Sequence, residues 1–223
     1  MTVAVMQPYF VPYAGYFRLF AAADVVVSFD CVQFPRRGWV HRNRFTTSSG
    51  ESAWLTLPLR KAPRDALISE LIFPGDAGER LDAEICRFPI LARAKNERNS
   101  TLLRVLELGS DGVAAYLSQL VHDVARMLGF ERKTLRSSSL DIAPDLKAQD
   151  RVIAILKQLN ADCYINPPGG RSLYDHDTFA EHGIDLKFLT PYAANTDSIL
   201  ARMLTEPIST IFEEIARETV LVS

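Results

Sequence analysis

Residues 30–44 gather Asp30, Gln33, Trp39, His41, Arg42, Asn43 and Arg44, side chains suited to proton transfer and anion binding. Histidine titrates nearest neutral pH, so His41 is the candidate general base. Asp30 could orient it, take the proton itself or hold a metal, and a structural salt bridge from Asp30 to an arginine competes with all three. If "WVHRNR" is extended, Trp39, His41 and Asn43 share one side and Val40, Arg42 and Arg44 the other. One guanidinium fork matches a phosphate bidentately, and two on a face suit a diphosphate.

A second stretch asks for a flat ligand. "MQPYFVPYAGYF" (6–17) puts three tyrosines, two phenylalanines and two prolines in what must be a turn. A buried tyrosine hydroxyl needs a partner that Leu or Ile would not, so an aromatic turn is a costly core. Either the rings only brace the loop, or Tyr9 and Tyr13 form a stacking wall for a base or sugar with Gln7 as a hydrogen-bonding arm. The place comparable to the H-x-G-H helix start of nucleotidylyltransferases reads "PYAGYF", without histidine, which argues against adenylyl transfer by that motif.

A third stretch, "NPPGGRSLYD" (166–175), combines rigid prolines with a permissive glycine pair, so backbone N–H groups near Gly169 and Gly170 could face a ligand. Asn166 and Asp175 could equally cap the loop and the helix after it. His122, His176 and His182 lack the spacing and carboxylate company of a zinc site. Cys31 reads as a packed thiol, and Ser137–Ser139 lack a nucleophile elbow.

The elements that position these residues read as α/β. "TVAVM" alternates as a first strand, "YFRLFAAAD" has helical spacing, and "VVVSFD" is a run suited to a strand buried on both faces. Residues 2–30 are therefore expected to form a β-α-β unit in a parallel or mixed sheet, with loop 7–14 and Asp30 at the same sheet end. "SAWLTLPL" and "ALISELIF" read as an antiparallel pair. A helical middle (about 76–130) includes a helix capped by Asp111 and stopped at Gly129. Strand "KTLRSSSLDI", helix "LKAQDRVIAILKQLNA", strand "DCYIN", helix "DTFAEHGI" and strand "DLKFL" follow, with "STIFEEIARETVLV" a terminal helix. At 223 residues and 48% hydrophobic, one large domain or two small ones can be built. A net charge of −2 gives no reason to expect nucleic acid or an anionic membrane as partner. Cys31, Cys86 and Cys163 are odd in number and form no C-x-x-C pair, which suits a reducing cytoplasm. No stretch reaches the roughly 20 apolar residues of a membrane span, and Gln7 and Pro8 interrupt any signal-peptide core.

Taken together, "MQPYF-P-Y-GYF", "D-VQF---GW--RNR" and "YIN--GG--LYD---F---GI-L-F" resemble the WbqC-like protein family of bacteria, over nearly the whole chain. The resemblance implies a single domain over 1–223 and a role in making O-antigen, other surface polysaccharides or natural products. It carries over Gln7, Tyr9, Tyr13, Gly15, Asp30, Gln33, Trp39, Arg42, Asn43, Arg44, Gly170, Tyr174 and Asp175 as shared positions. Cys31 and His41 depart from it, standing where the family more often has an acid and an amide. Two readings follow. In one, the protein transfers an acyl or aminoacyl group to a nucleotide-linked amino sugar, with Asp30 or His41 taking the proton. In the other, the cleft binds a sugar nucleotide without chemistry, as an accessory to a partner enzyme. An Asp30–His41 contact in an ordered cleft favours the first, and its absence the second. Neither the residues nor the resemblance names a cofactor, an acyl donor or an oligomeric state.

Overall fold

The β-branched opening folds as expected: β1 (Thr2–Met6) lies parallel to β2 (Val25–Ser28), with Val3 opposite Val25 and Met6 opposite Ser28. The chain crosses between them through a 3-10 turn, Ala14–Phe17, and α1 (Arg18–Ala22). The computed structural model describes residues 1–97, 100–109 and 112–223. Next come β3 (Arg42–Thr46), β4 (Ser52–Thr56), α2 (Ala77–Ile85), α3 (Pro89–Asn96), α4 (Ser100–Leu103) and α5 (Val113–Met127). The second half runs β5 (Lys133–Arg136), α6 (Ala148–Gln158), β6 (Cys163–Asn166), α7 (His176–Glu181), β7 (Asp185–Leu189), α8 (Ile199–Met203), α9 (Ile208–Glu218) and β8 (Leu221–Val222).

Six strands form one sheet in the order β5-β2-β1-β6-β7-β8, parallel throughout except for the antiparallel β7–β8 pair. Side-chain alternation splits two apolar layers. Val3, Val5, Val25, Val27 and Leu186 face Val152, Ile155 and Leu156 of α6 and Phe179 of α7. Ala4, Val26 and Ile165 face the layer containing α1, α5, α8 and α9. Each fully buried Val, Leu or Phe stabilises by about 1.5–3 kcal/mol. Strands covered on both faces need the continuous apolar runs seen in "VVVS". The chain runs outward from β1 to β2 and β5, then returns to β6 on the other side of β1. This is an α/β fold with a reversal of strand order beside β1, where the carboxyl ends of such sheets bind ligands.

Three expectations need correction. "SAWLT" pairs not with "ALISELIF" but with "RNRFT", forming the β3–β4 hairpin with Asn43 opposite Leu55 and Arg44 opposite Trp54. Residues 66–68 bond instead to the segment after β2 (Phe34 N to Ala66 O, 2.9 Å; Ile68 N to Val32 O, 3.0 Å). They then close a 3-10 turn, Ile68–Glu70, where the Glu70 carboxylate accepts from Leu67 N at 2.8 Å. The terminal helix stops at Glu218, and Leu221–Val222 turn back as an edge strand on β7. Helix α8 was not foreseen in "SILARM". The cap expected from Asp111 lies outside the described residues; α5 itself ends before Gly129, whose φ of 91° is the left-handed geometry a helix stop requires.

Candidate functional site

Loop 7–13, leaving β1, is held in a conformation its sequence would not adopt alone. Val11 has φ 39°, in the left-handed region that a β-branched residue avoids, at a cost of order 1–3 kcal/mol. Neighbouring elements hold it there. The Asn43 amide donates from Nδ2 to Phe10 O (3.1 Å) and Val11 O (2.6 Å), and Ser198 Oγ donates to Val11 O (2.9 Å). Backbone bonds Phe10 N to Trp39 O (3.0 Å) and Ile199 N to Pro12 O (2.8 Å) complete the clamp. Phe10 and Val11 thereby enter the core, while Tyr9 and Tyr13 stay half-buried. Tyr13 packs edge-on against Tyr192, ring centroids 5.3 Å apart. A Cβ at Gly15 would fall 2.3 Å from Tyr13 Cε2 and 2.8 Å from Tyr192 Cγ, so only glycine lets those rings meet there.

Between this loop and the β3–β4 hairpin lies a cleft of about 540 Å³, lined by Met6, Tyr9, Pro12, Tyr13, Trp39, Asn43, Arg44 and Thr196. Met6 ends β1, so the cleft opens at that strand's carboxyl end. Burial is the first cause raising the pKa of both tyrosines, with Tyr13 adding to it for Tyr9 and Arg18 opposing it for Tyr13. Both are therefore neutral phenols at physiological pH, able to stack and to donate. Arg44 is exposed and stacks on Trp54, its Cζ 4.7 Å from the ring centroid; Trp54 in turn lies 5.2 Å from Trp39. An arginine backed by indoles at the mouth of an aromatic cleft can receive an anionic group.

The structure separates the other sequence-derived candidates. Asn43 lines the cleft, but its amide is spent on the loop and its Oδ1 accepts from Arg44 N (2.7 Å). Arg42 donates to Gly38 O (3.3 Å) and Arg37 O (2.8 Å) and stacks 4.1 Å over Trp54 outside the cleft lining, so it braces the turn before β3. Only one of the two arginines thus reaches the cleft. Asp30, wholly buried, accepts from Ser137 Oγ (2.9 Å), Ser138 N (2.8 Å) and Ser138 Oγ (2.6 Å), tying the end of β2 to the turn after β5. His41 stands edge-on to Phe34 in a different cavity, its Nδ1 buried and without a partner among the described residues. Burial, then the nearby Arg42, lowers its pKa to about 4. No hydrogen bond or ion pair joins Asp30 to His41 among the described residues. Gln33 is exposed and donates to Arg64 O (2.9 Å), and Gln7 lends its carbonyl to the Tyr16 hydroxyl (3.0 Å); neither lines the cleft.

Nor does the 166–175 loop. Asn166 donates to the Tyr164 hydroxyl (2.5 Å) and packs so close to Gly170 that a Cβ there would lie 2.0 Å from Asn166 Oδ1. Gly169 sits with Gly170 in a 3-10 turn, Pro168–Gly170, Tyr174 packs edge-on to Tyr164 and Phe179, and Asp175 caps α7 by accepting from Thr178 N (2.8 Å).

Sequence reasoning missed the segment after β7, which supplies Tyr192, Thr196 and Ser198. A signal was present: "QPY" follows β1 and "TPY" follows β7, two Pro-Tyr turns at the carboxyl ends of parallel strands. Beneath Tyr192 a charged network anchors this wall. Arg202, 3% exposed, pairs with Glu206 (2.7 Å) and Glu214 (2.6 Å), and Glu214 also accepts from the Tyr192 hydroxyl. Burial would raise the Glu214 pKa, but the bonds from Arg202 and Tyr192 hold it below the ordinary 4.5. A depressed carboxylate contributes stability above its unfolded value and loses it as pH falls through the folded one. Urea midpoints should therefore drop on acidification below about pH 4.5, and Glu214→Gln should flatten part of that drop. An unchanged acid limb in the variant would remove Glu214 from the account.

A family model described as the WbqC-like protein family matches residues 7–196. An uncharacterised protein of Mycobacterium tuberculosis (strain ATCC 25618 / H37Rv), Rv1507c, is 28% identical over 185 residues, covering 82% of this chain and 79% of that one. No solved structure is significantly similar. No helix among the described residues is long and apolar enough to cross a membrane.

Proposed function

The chain belongs to the WbqC-like protein family, and from that premise we propose that it binds a nucleotide-linked amino sugar in the cytoplasm, in the cleft between loop 7–13 and the β3–β4 hairpin. Base or sugar stacks against Tyr9, Tyr13 and Trp39, and Arg44 holds the diphosphate. The observation that carries this reading is the convergence of those four side chains on one cleft at the carboxyl end of β1. Polysaccharide or natural-product biosynthesis is the setting that the family resemblance supplies.

The binding function stands ahead of acyl or aminoacyl transfer. Transfer to an amine needs a base within hydrogen-bond reach of the attacking nitrogen. The Asp30 carboxylate is buried with three donors on it, and His41 lines a different cavity. If transfer occurs, a partner or an unassigned residue must take the proton.

Thermal-shift measurements against sugar nucleotides, coenzyme A thioesters and ATP test the ligand class. A sugar nucleotide should raise the melting temperature most. Arg44→Ala should melt as the parent does, since an exposed stacked arginine contributes little, yet bind that ligand about 10–100-fold more weakly, the loss of one charge-assisted contact of about 1.5–3 kcal/mol. Arg42→Ala should show the opposite balance, lowering the melt more than the affinity. Equal affinity in Arg44→Ala and the parent would remove the diphosphate role.

A further inference from the structure

A cavity of about 740 Å³ beside the hairpin shares no lining residue with the aromatic cleft. Cations reach it from three stretches of chain: Arg36 before β3, Arg60 and Lys61 after β4, Arg80 on α2 and Arg87 just beyond it. The one carboxylate in the wall among the described residues, Glu84, is already paired with Arg87 (2.5 Å), and Arg80 reaches Asp76, outside the wall, at 3.8 Å. Arg36 gives Nη2 to Ala62 O and Pro63 O (both 2.7 Å), which fixes the rim. The Arg60 and Lys61 side chains are exposed and make no hydrogen bond or ion pair to a described residue. Cations scattered over a convex face are normally just solvated. Here they converge on a hollow floored by Phe34, Leu57 and Leu71, and a low-dielectric floor strengthens their combined field.

The charge count selects the ligand. A single carboxylate would meet one of the two cations that pair with no described residue, Arg60 and Lys61, and leave the other unmatched, whereas linked phosphates carry several charges, enough to meet both and to reach the paired arginines around them. His41, its pKa pushed down to about 4, adds a neutral ring to the wall rather than a further charge.

We propose that this basic cavity binds an oligophosphate group, two or more linked phosphates either free or carried on a nucleotide, as a site distinct from the aromatic cleft. The site does not depend on which ligand the aromatic cleft takes.

Calorimetric titration of the full chain with inorganic tripolyphosphate, and separately with ATP, tests it. An Arg60→Ala/Lys61→Ala double variant should bind either probe at least about tenfold more weakly. An Arg126→Ala/Lys157→Ala variant, which removes the same charge from exposed positions on α5 and α6, should change affinity less than about twofold. Both pairs are exposed, so melts should match the parent's. ATP binding more tightly than tripolyphosphate supports the site with a nucleotide as its source; equal affinities support it with phosphate alone. The proposal is overturned if the parent binds neither probe, or if the two double variants lose affinity equally.

Discussion

Asp30→Ala will lower the urea midpoint at unchanged slope, with a loss of about 3 kcal/mol, and the defect will be one of folding rather than of a reaction step. The carboxylate has no exposed surface, and three donors converge on it. Removing it strands the Ser137 hydroxyl in a buried place, at about 1–3 kcal/mol, and loses two charge-assisted bonds from Ser138, which water can partly replace because Ser138 is exposed; relief of the carboxylate's own desolvation offsets part of the total. Asp30→Asn should fall between, because it keeps two acceptor lone pairs but turns an NH₂ toward donors. Ligand affinity of the folded variant should stay near the parent's. A full-stability Asp30→Asn protein that loses all function would return Asp30 to the chemistry.

Asn43→Ala will cost about 2–3 kcal/mol and also weaken the ligand, although the amide has no free donor to offer it. Its Nδ2 holds two carbonyls of the turn containing Val11, so its loss frees the strained residue and, with it, the placement of Tyr9 and Tyr13. Asn43→Asp should be worse than alanine at neutral pH, since it aims a buried negative charge at the Phe10 and Val11 oxygens. That aspartate would have a raised pKa, so acidification should partly restore the variant as its carboxyl becomes a donor. If Asn43→Asp is as stable as the parent at pH 7, the clamp is wrong.

What the sequence made legible was whatever local pattern decides. "TVAVM" and "VVVSF" could hardly be other than buried parallel strands joined by a short helix, and that placed the aromatic loop and the end of β2 at one sheet end. The hairpin partner was not local. "ALISELIF" has as good an apolar run as "RNRF", and only main-chain bonds to residues 32–34 settle which pairs with β4. The same holds at the site. Tyr9, Tyr13, Trp39 and Arg44 were read from residue type, and they meet. Asp30 and Asn43 have equally suggestive side chains, but their partners, Ser137 and the Phe10–Val11 carbonyls, lie 107 and about 32 positions away. A polar side chain in a motif shows that it is needed, not whether ligand or backbone uses it.

Loop 7–13 and the hairpin form the proposed ligand wall. Intermolecular nuclear Overhauser effects between a bound UDP-linked amino sugar and assigned aromatic protons test that placement. The two tryptophans, Trp39 in the aromatic cleft and Trp54 in the wall of the basic cavity, lie only 5.2 Å apart, so Tyr9 and Tyr13 on one side and Phe34 and His41 on the other are the rings that separate the two sites. Contacts are expected from the base or sugar protons to the Tyr9, Tyr13 and Trp39 rings. Contacts confined to Phe34, His41 and Trp54, with none to the two tyrosines, would contradict that placement.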